Sequence, residues 1–258
     1  RHNFTVSVDF RGDVAEQDES NGLQRSLVFR PDTVPVGAAA GPFVGPPRSF
    51  DSANQSAPSV NGHRVTVSNQ FAAVVMRTES SRPDYGLRVY DTVSTGPNDG
   101  FDGTVAVTNN PPGQAEVMIL NRQVLGGPTF DIGVQRVFSG RIDEYTFQHT
   151  ASQALNVGDS GLQSWPAGDL VWLKEFTFND LQLGTLNARV RLFWPTEEPG
   201  AAEVHWIPPS EGAYDLQGAT PVGVVDDAGD FDFELPVTEG GTYALAVFRD
   251  LPSGTDAP

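Results

Sequence analysis

The chain opens Arg1-His2-Asn3-Phe4-Thr5-Val6-Ser7-Val8-Asp9-Phe10. Successive side chains of an extended backbone point to opposite faces. Phe4, Val6, Val8 and Phe10 therefore fall on one side, and Asn3, Thr5, Ser7 and Asp9 on the other. The same period of two recurs along the chain. It marks strand candidates at Ser26–Phe29, Arg64–Val67, Phe71–Thr78, Gly86–Tyr90, Gly103–Val107, Val134–Phe138 and Ile142–Gln148. A second series follows at Leu170–Phe178, Ala188–Trp194, Glu203–Ile207, Val222–Val225, Phe231–Leu235 and Thr242–Phe248. Gly, Pro, Asn and Asp clusters separate these runs, the punctuation of an all-β protein. The pattern predicts two β-sandwich or jelly-roll-like domains with little helix.

Several local readings go with this. Gln114–Leu125 lies between Pro111-Pro112-Gly113 and Gly126-Gly127, which suits a short helix. Its centre, Val117-Met118-Ile119-Leu120, suits a buried strand equally well. Residues 31–58 hold Gly41-Pro42 and Gly45-Pro46-Pro47 and predict a long Pro/Gly-rich loop or arm. A second break at 156–169 places a boundary near residue 160, giving an N-terminal β domain (1–160) and a smaller C-terminal sandwich or barrel (161–258). Leu170–Phe178 changes phase near Lys174-Glu175, which predicts a bulge. Ala188–Trp194 alternates strictly, with Val190 and Leu192 inward and Arg189 and Arg191 outward. Asp226-Asp227-Ala228-Gly229-Asp230 reads as a hairpin turn.

Charge narrows the partners. The formal net charge is −17, with 33 acidic residues against 16 basic ones, of which only Lys174 is lysine. No basic run exists, so the chain lacks the clustered Lys and Arg that phosphate backbones require, and nucleic acid is not an expected partner. A carboxylate-rich, lysine-poor surface also suits high salt, where the Debye length falls to about 3 Å at 1 M. The sequence has no cysteine, which removes disulfides, thiolate metal sites and a cysteine nucleophile. No stretch reaches the roughly 18 apolar residues of a membrane-spanning helix. The start at Arg1 rather than Met leads to the expectation of a cleaved export signal and an extracellular or cell-surface location.

Chemistry-bearing motifs are sparse. His2, His63, His149 and His205 show no spacing for a metal or a triad. His205 alternates with Val204 and Trp206 and is expected on an exposed strand face. Adjacent acids such as Asp143-Glu144, Glu197-Glu198 and Asp226-Asp227 point to opposite faces of a strand, not to one bond as a glycosidase requires. No nucleophile elbow occurs, and the expectation is a protein that is not an enzyme. Hard oxygen ligands around glycine turns make Asn98, Asp99 and Asp102, and Asp226, Asp227 and Asp230, candidate calcium ligands. Asn3 and Asn54 head glycosylation sequons. Trp194 and Trp206 are expected in the core by alternation.

The apolar face of His2–Phe10 has to be buried, either by pairing within its own sheet or by completing the sheet of a neighbour. In the second case His2–Phe10 resembles the donor strands of donor-strand-exchange filament subunits. That resemblance implies a secreted subunit that polymerises into pili or threads, with Phe4, Val6, Val8 and Phe10 filling a groove on the next subunit. The second domain departs from that family. Two further readings are an icosahedral virion coat, including that of a halophile virus, and a glycan- or calcium-binding surface module. The expected partner is in the first place a further copy of the same chain.

Overall fold

A computed structural model describes residues 2–6, 25–29, 32–37, 39–45, 60–78, 83–90, 104–108, 110–136, 143–156, 165, 169–179, 186–194, 201–225 and 229–249. These residues form strands and no helix, so the all-β reading holds. The strands are β1 (His2–Val6), β2 (Arg25–Phe29), β3 (Asp32–Thr33), β4 (Ala40–Val44), β5 (Val60–Thr66), β6 (Phe71–Thr78), β7 (Tyr85–Tyr90), β8 (Thr104–Val107), β9 (Glu116–Asn121) and β10 (Thr129–Arg136). They continue as β11 (Glu144–Ala151), β12 (Gln153–Ala154), β13 (Val171–Phe178), β14 (Leu186–Trp194), β15 (Ala202–Ile207), β16 (Ala213–Asp215), β17 (Gly223–Val225), β18 (Gly229–Val237) and β19 (Gly241–Phe248).

Four sheets stack face to face. The first has the order β3-β5-β10-β7-β8, the second β16-β9-β6-β11-β4, the third β12-β13-β19-β15-β17, and the fourth is the pair β14-β18. The ribbon β1-β2 stands as a separate two-stranded sheet. Three cores separate the four layers, and parity along single strands shows how. In β6, Ala72, Val74 and Met76 join Leu87, Ile132 and Phe147 between the first and second sheets. Phe71, Ala73 and Val75 face the other way, meeting Val171, Leu173, Ala244, Ala246 and Phe248 of the third sheet. In β19, Tyr243, Leu245 and Val247 pack with Leu235 and Val237 under the fourth sheet. Fully burying each such aliphatic or aromatic side chain contributes about 1.5–3 kcal/mol, and in the two inner sheets both parities contribute.

The two halves of the chain interlock. Strand β12, from before residue 160, pairs in parallel with β13 of the third sheet. Strand β16, from beyond it, pairs with β9 of the second, Ala213 opposite Leu120 and Asp215 opposite Met118.

The structure settles the ambiguous segment and corrects three readings. Residues 116–121 are strand, not helix, with all six side chains buried. Gly126-Gly127 closes a turn instead of a helix, both amides donating to the Arg122 carbonyl at 3.1 Å. The stretch 31–58 is not loop throughout, because β3 and β4 lie within it and pair with β5 and β11; residues 46–58 are outside the described set. No bulge interrupts β13, whose pairing with β19 runs unbroken from Val171↔Phe248 to Phe178↔Gly241. The phase change there reflects burial on both faces. Strands β17 and β18 do not form a hairpin, since β17 pairs with β15 and β18 with β14. They pack face to face instead: a Cβ on Gly223 would lie 2.1 Å from Cε1 of Phe233, so only glycine admits that ring.

Candidate functional site

Ribbon β1-β2 is the element that the sequence singled out. It pairs antiparallel in the register Phe4↔Leu27, Thr5↔Ser26 and Val6↔Arg25. Among the described residues neither strand takes a further strand neighbour. A lone two-stranded ribbon is marginally stable in water, so this element gains most from a third strand or a covering surface. Val8 and Phe10 lie outside the described residues. Asn3 sits in β1 opposite Val28; Asn54 lies outside the described set.

The other free edges differ in character. Val105 and Val107 of β8 are exposed, as are Val222 and Val224 at β17, each strand ending its sheet. Strand β4 also ends its sheet and carries the 65%-exposed Val44, but its Pro42 lacks an amide donor, a common device that blunts an edge. The fourth sheet offers two long edges. On its outer face Arg189 Nη2 donates to Asp232 Oδ2 at 3.0 Å, and Arg191 Nε donates to Asp232 Oδ1 at 3.2 Å. Those two guanidiniums, Arg191 foremost, hold the Asp232 carboxyl below the ordinary carboxylate range.

Of the candidate calcium ligands only Asp230 is among the described residues. Asn98, Asp99, Asp102, Asp226 and Asp227 lie outside the described residues. Asp230 is an exposed residue of β18 opposite Phe193. Among the described residues no three His, Asp or Glu side chains group as a metal site.

The histidines correct an expectation. His205 is 0% exposed, not on a free strand face. Its ring lies between the second and third sheets, with Nδ1 3.4 Å from Tyr214 Oη and Nε2 3.3 Å from Glu203 Oε2. Burial lowers its pKa, and Glu203 partly opposes that. His63 stacks on Phe147 at 4.4 Å and meets Tyr145 Oη at 2.7 Å. His149 is likewise buried, which lowers its pKa. His63 and His149 both lie between the first and second sheets, His149 Nε2 3.3 Å from the Thr66 carbonyl of β5, while His205 lies between the second and third. Trp206 is buried as expected, stacked on Tyr243 at 4.9 Å with Nε1 donating to the Pro236 carbonyl; the side chain of Trp194 is outside the described set.

Two buried charged groups escaped the sequence reading. Glu116 is 1% exposed at the start of β9. It accepts from Asn110 N at 3.0 Å and from Asn110 Nδ2 at 3.1 Å. Burial first, with Asp215 and Asp84 adding repulsion, raises its pKa to about 8 against the bonds from Thr108 and Asn110. Lys174, 2% exposed, lies 4.7 Å from the Trp172 ring centre and donates to Gln153 Oε1 of β12. Burial lowers its pKa. Both residues tie the two halves of the chain together within a sheet: Asn110, held by Glu116, also donates to Gln217 just beyond β16 of the second sheet, and Lys174 of β13 reaches the neighbouring strand β12 of the third. A shallow cavity of about 420 Å³ lined by Gln70, Arg122, Gln123, Gly127 and Pro128 presents no nucleophile or carboxylate.

No family model matches the chain, and no curated protein matches it. Among solved structures, a crystal structure of quercetin 2,3-dioxygenase from Acinetobacter baumannii matches with 11% identity and a TM-score of 0.20, covering 84% of this chain and 68% of that one. A likeness at that score carries no argument. Among the described residues no helix is long and apolar enough to cross a membrane.

Proposed function

We propose that the chain is a structural subunit of an extracellular assembly, a filament or surface layer, whose copies join through β-strand addition. The observation that carries this reading is the ribbon β1-β2, two strands at the chain start with no further strand neighbour among the described residues. Strand addition draws affinity from main-chain hydrogen bonds and register from alternate side chains, and the alternation from Phe4 to Phe10 supplies such a register. The packed interior supports a mechanical role: three cores separate four layers, and His63 with Tyr145 and His205 with Tyr214 make polar contacts from one layer to the next.

The test is truncation of residues 1–10. Sedimentation and electron microscopy should find polymers for the full chain and folded monomers for the truncated one. A truncated chain that polymerises as well as the parent would overturn the donor role, and a shell instead of threads in the same images would favour a virion coat.

A further inference from the structure

The fourth sheet has two edges of opposite charge. Strand β14 carries Arg189 and Arg191 on its outer face, with side chains 68% and 62% exposed. Strand β18 carries Asp230, Asp232 and Glu234 on the same outer face, all exposed. Within the chain the register sets Arg189 opposite Glu234, Val190 opposite Phe233, Arg191 opposite Asp232 and Leu192 opposite Phe231. Among the described residues β14 and β18 have no strand neighbour but each other. Both edges are therefore open among the described residues.

The inner face is under-covered in the same place. Val190, Leu192, Phe231 and Phe233 of the fourth sheet, and Trp172, Phe176 and Phe178 of the third, are only partly buried against the third core. Among the described residues the first core has five such residues, Ala40, Phe43, Ala106, Leu125 and Ala213, and the second has Tyr214 alone. A two-stranded layer lies over a five-stranded one, and its flanks leave apolar surface partly in water.

From this geometry we propose that copies of the chain add head to tail through the fourth sheet, β14 of one copy pairing antiparallel with β18 of the next. This rests on the reading of the chain as a self-assembling subunit and identifies a specific pair of edges for it. Charge selects the partner. Pairing β14 with a second β14 about Val190 sets Arg189 opposite Arg191, and pairing β18 with a second β18 about Phe233 sets Asp232 opposite Glu234. Like charges directly opposite one another are destabilising. Only the mixed pairing repeats the register already present inside the chain, Arg189 against Glu234 and Arg191 against Asp232, with Val190 and Leu192 beside Phe233 and Phe231.

Bonding capacity remains for it. Asp232 takes both arginines of its own chain, Arg189 through Nη2 alone, while Glu234 and Asp230 make no ion pair among the described residues. Pro236 has no amide to donate, so the added strand matches Gly229–Leu235. The contact spans seven residues of β18, Gly229–Leu235, and so short a contact makes assembly concentration-dependent. A mixed contact between unlike edges is also heterologous, and such contacts propagate into open chains unless the rotation closes a ring.

The experiment uses three full-length variants: Arg189→Glu with Arg191→Glu, Asp232→Arg with Glu234→Arg, and all four changes together. Folding is checked by circular dichroism, and assembly by sedimentation at about 0.15 M salt, where the Debye length is about 8 Å. Each two-residue variant should raise the concentration needed for assembly by about tenfold, the factor that 1.4 kcal/mol of lost attraction produces. The four-residue variant has both edges reversed, so it should assemble with itself and segregate from the parent chain in mixed samples labelled with two dyes. A folded two-residue variant that assembles like the parent, or a four-residue variant that mixes freely with it, overturns the proposal while leaving the strand-addition reading intact. A parent chain that stays monomeric at every concentration overturns both. If the edge variants behave as stated but truncation of residues 1–10 changes nothing, the fourth-sheet contact stands and the donor role of the N-terminal strand falls.

Discussion

The second and fourth sheets are built on opposite terms. In the second, β6 has one face in the first core and the other in the second, and β9 is buried along its whole length. In the fourth, β18 alternates buried or half-buried residues with exposed ones at every step from Gly229 to Val237. The difference teaches where stability and association reside. A sheet covered on both faces has no surface left for a partner except its edges, and it anchors two cores at once. The two-stranded outer sheet contributes one face to the core and, among the described residues, leaves its other face and both edges uncovered, the surface that the proposed contact would use.

Truncating one core-facing side chain in each sheet is the largest test of that contrast. Phe147 of β11 is fully buried in the first core and stacks on His63. Phe147→Ala should cost about 3–5 kcal/mol, the range for emptying a buried aromatic site. Leu192→Ala in β14, only half-buried, should cost clearly less. Urea midpoints measure both, and equal losses would mean that the fourth sheet is as tightly packed as the second.

The same contrast decides what the sequence disclosed. Strands covered on one face kept their alternation, so the inward Val190 and Leu192 and the outward Arg189 and Arg191 were legible before any coordinates. Where both faces are covered the period disappears, because every position is apolar. Val117-Met118-Ile119-Leu120 therefore suited a helix as well as a strand, and Lys174-Glu175 suggested a bulge where the register is continuous. His205 was misplaced for the same reason: alternation with Val204 and Trp206 set it on the opposite face, and that face is also buried. The Asp226–Asp230 turn signal was real but silent on destination, since a turn can join two sheets as well as two neighbours in one. Nothing in a lone glutamate after Gly113-Gln114-Ala115 announces that Glu116 is sealed beneath Asn110. Val8, Phe10 and most candidate calcium ligands fall outside the described residues.

Glu116 sharpens the comparison at the junction of the halves, with an effect of intermediate size. The groups facing it are Thr108 and Asn110 beside β8, Asp84 before β7, and Asp215 of β16. Its folded pKa, about 8, lies above the ordinary value of 4.5. Between those values the folded chain holds a proton that the unfolded chain releases, so stability falls as pH rises through that window and levels off above it. The loss attributable to this one carboxyl is on the order of 2–4 kcal/mol at 1.36 kcal/mol per pH unit, discounted for residual solvation. Glu116→Gln removes the titration and keeps an acceptor for the Asn110 amide. Denaturation across pH 5–8 should show a shallower slope for the variant and a more stable variant near pH 8. Parallel slopes for the two proteins would show that Glu116 ionises freely, and the junction would then be as open to water as the outer sheet.

The smallest effect belongs to the ring that faces away from every core. Phe193 sits on the outer face of β14, 63% exposed and opposite Asp230. Removing an exposed side chain that fills no cavity changes stability by no more than about 0.5 kcal/mol. Phe193→Ala should therefore leave the urea midpoint of the monomer where it was, against the several kcal/mol lost at Phe147. Its consequence should appear only between molecules, as weaker assembly, because an exposed ring beside two arginines and an acidic edge has most to gain when a second strand lies alongside it. A Phe193→Ala chain that melts markedly earlier as a monomer would mean that the ring stabilises its own fold, and the outer face of the fourth sheet would then be structural surface instead of contact surface.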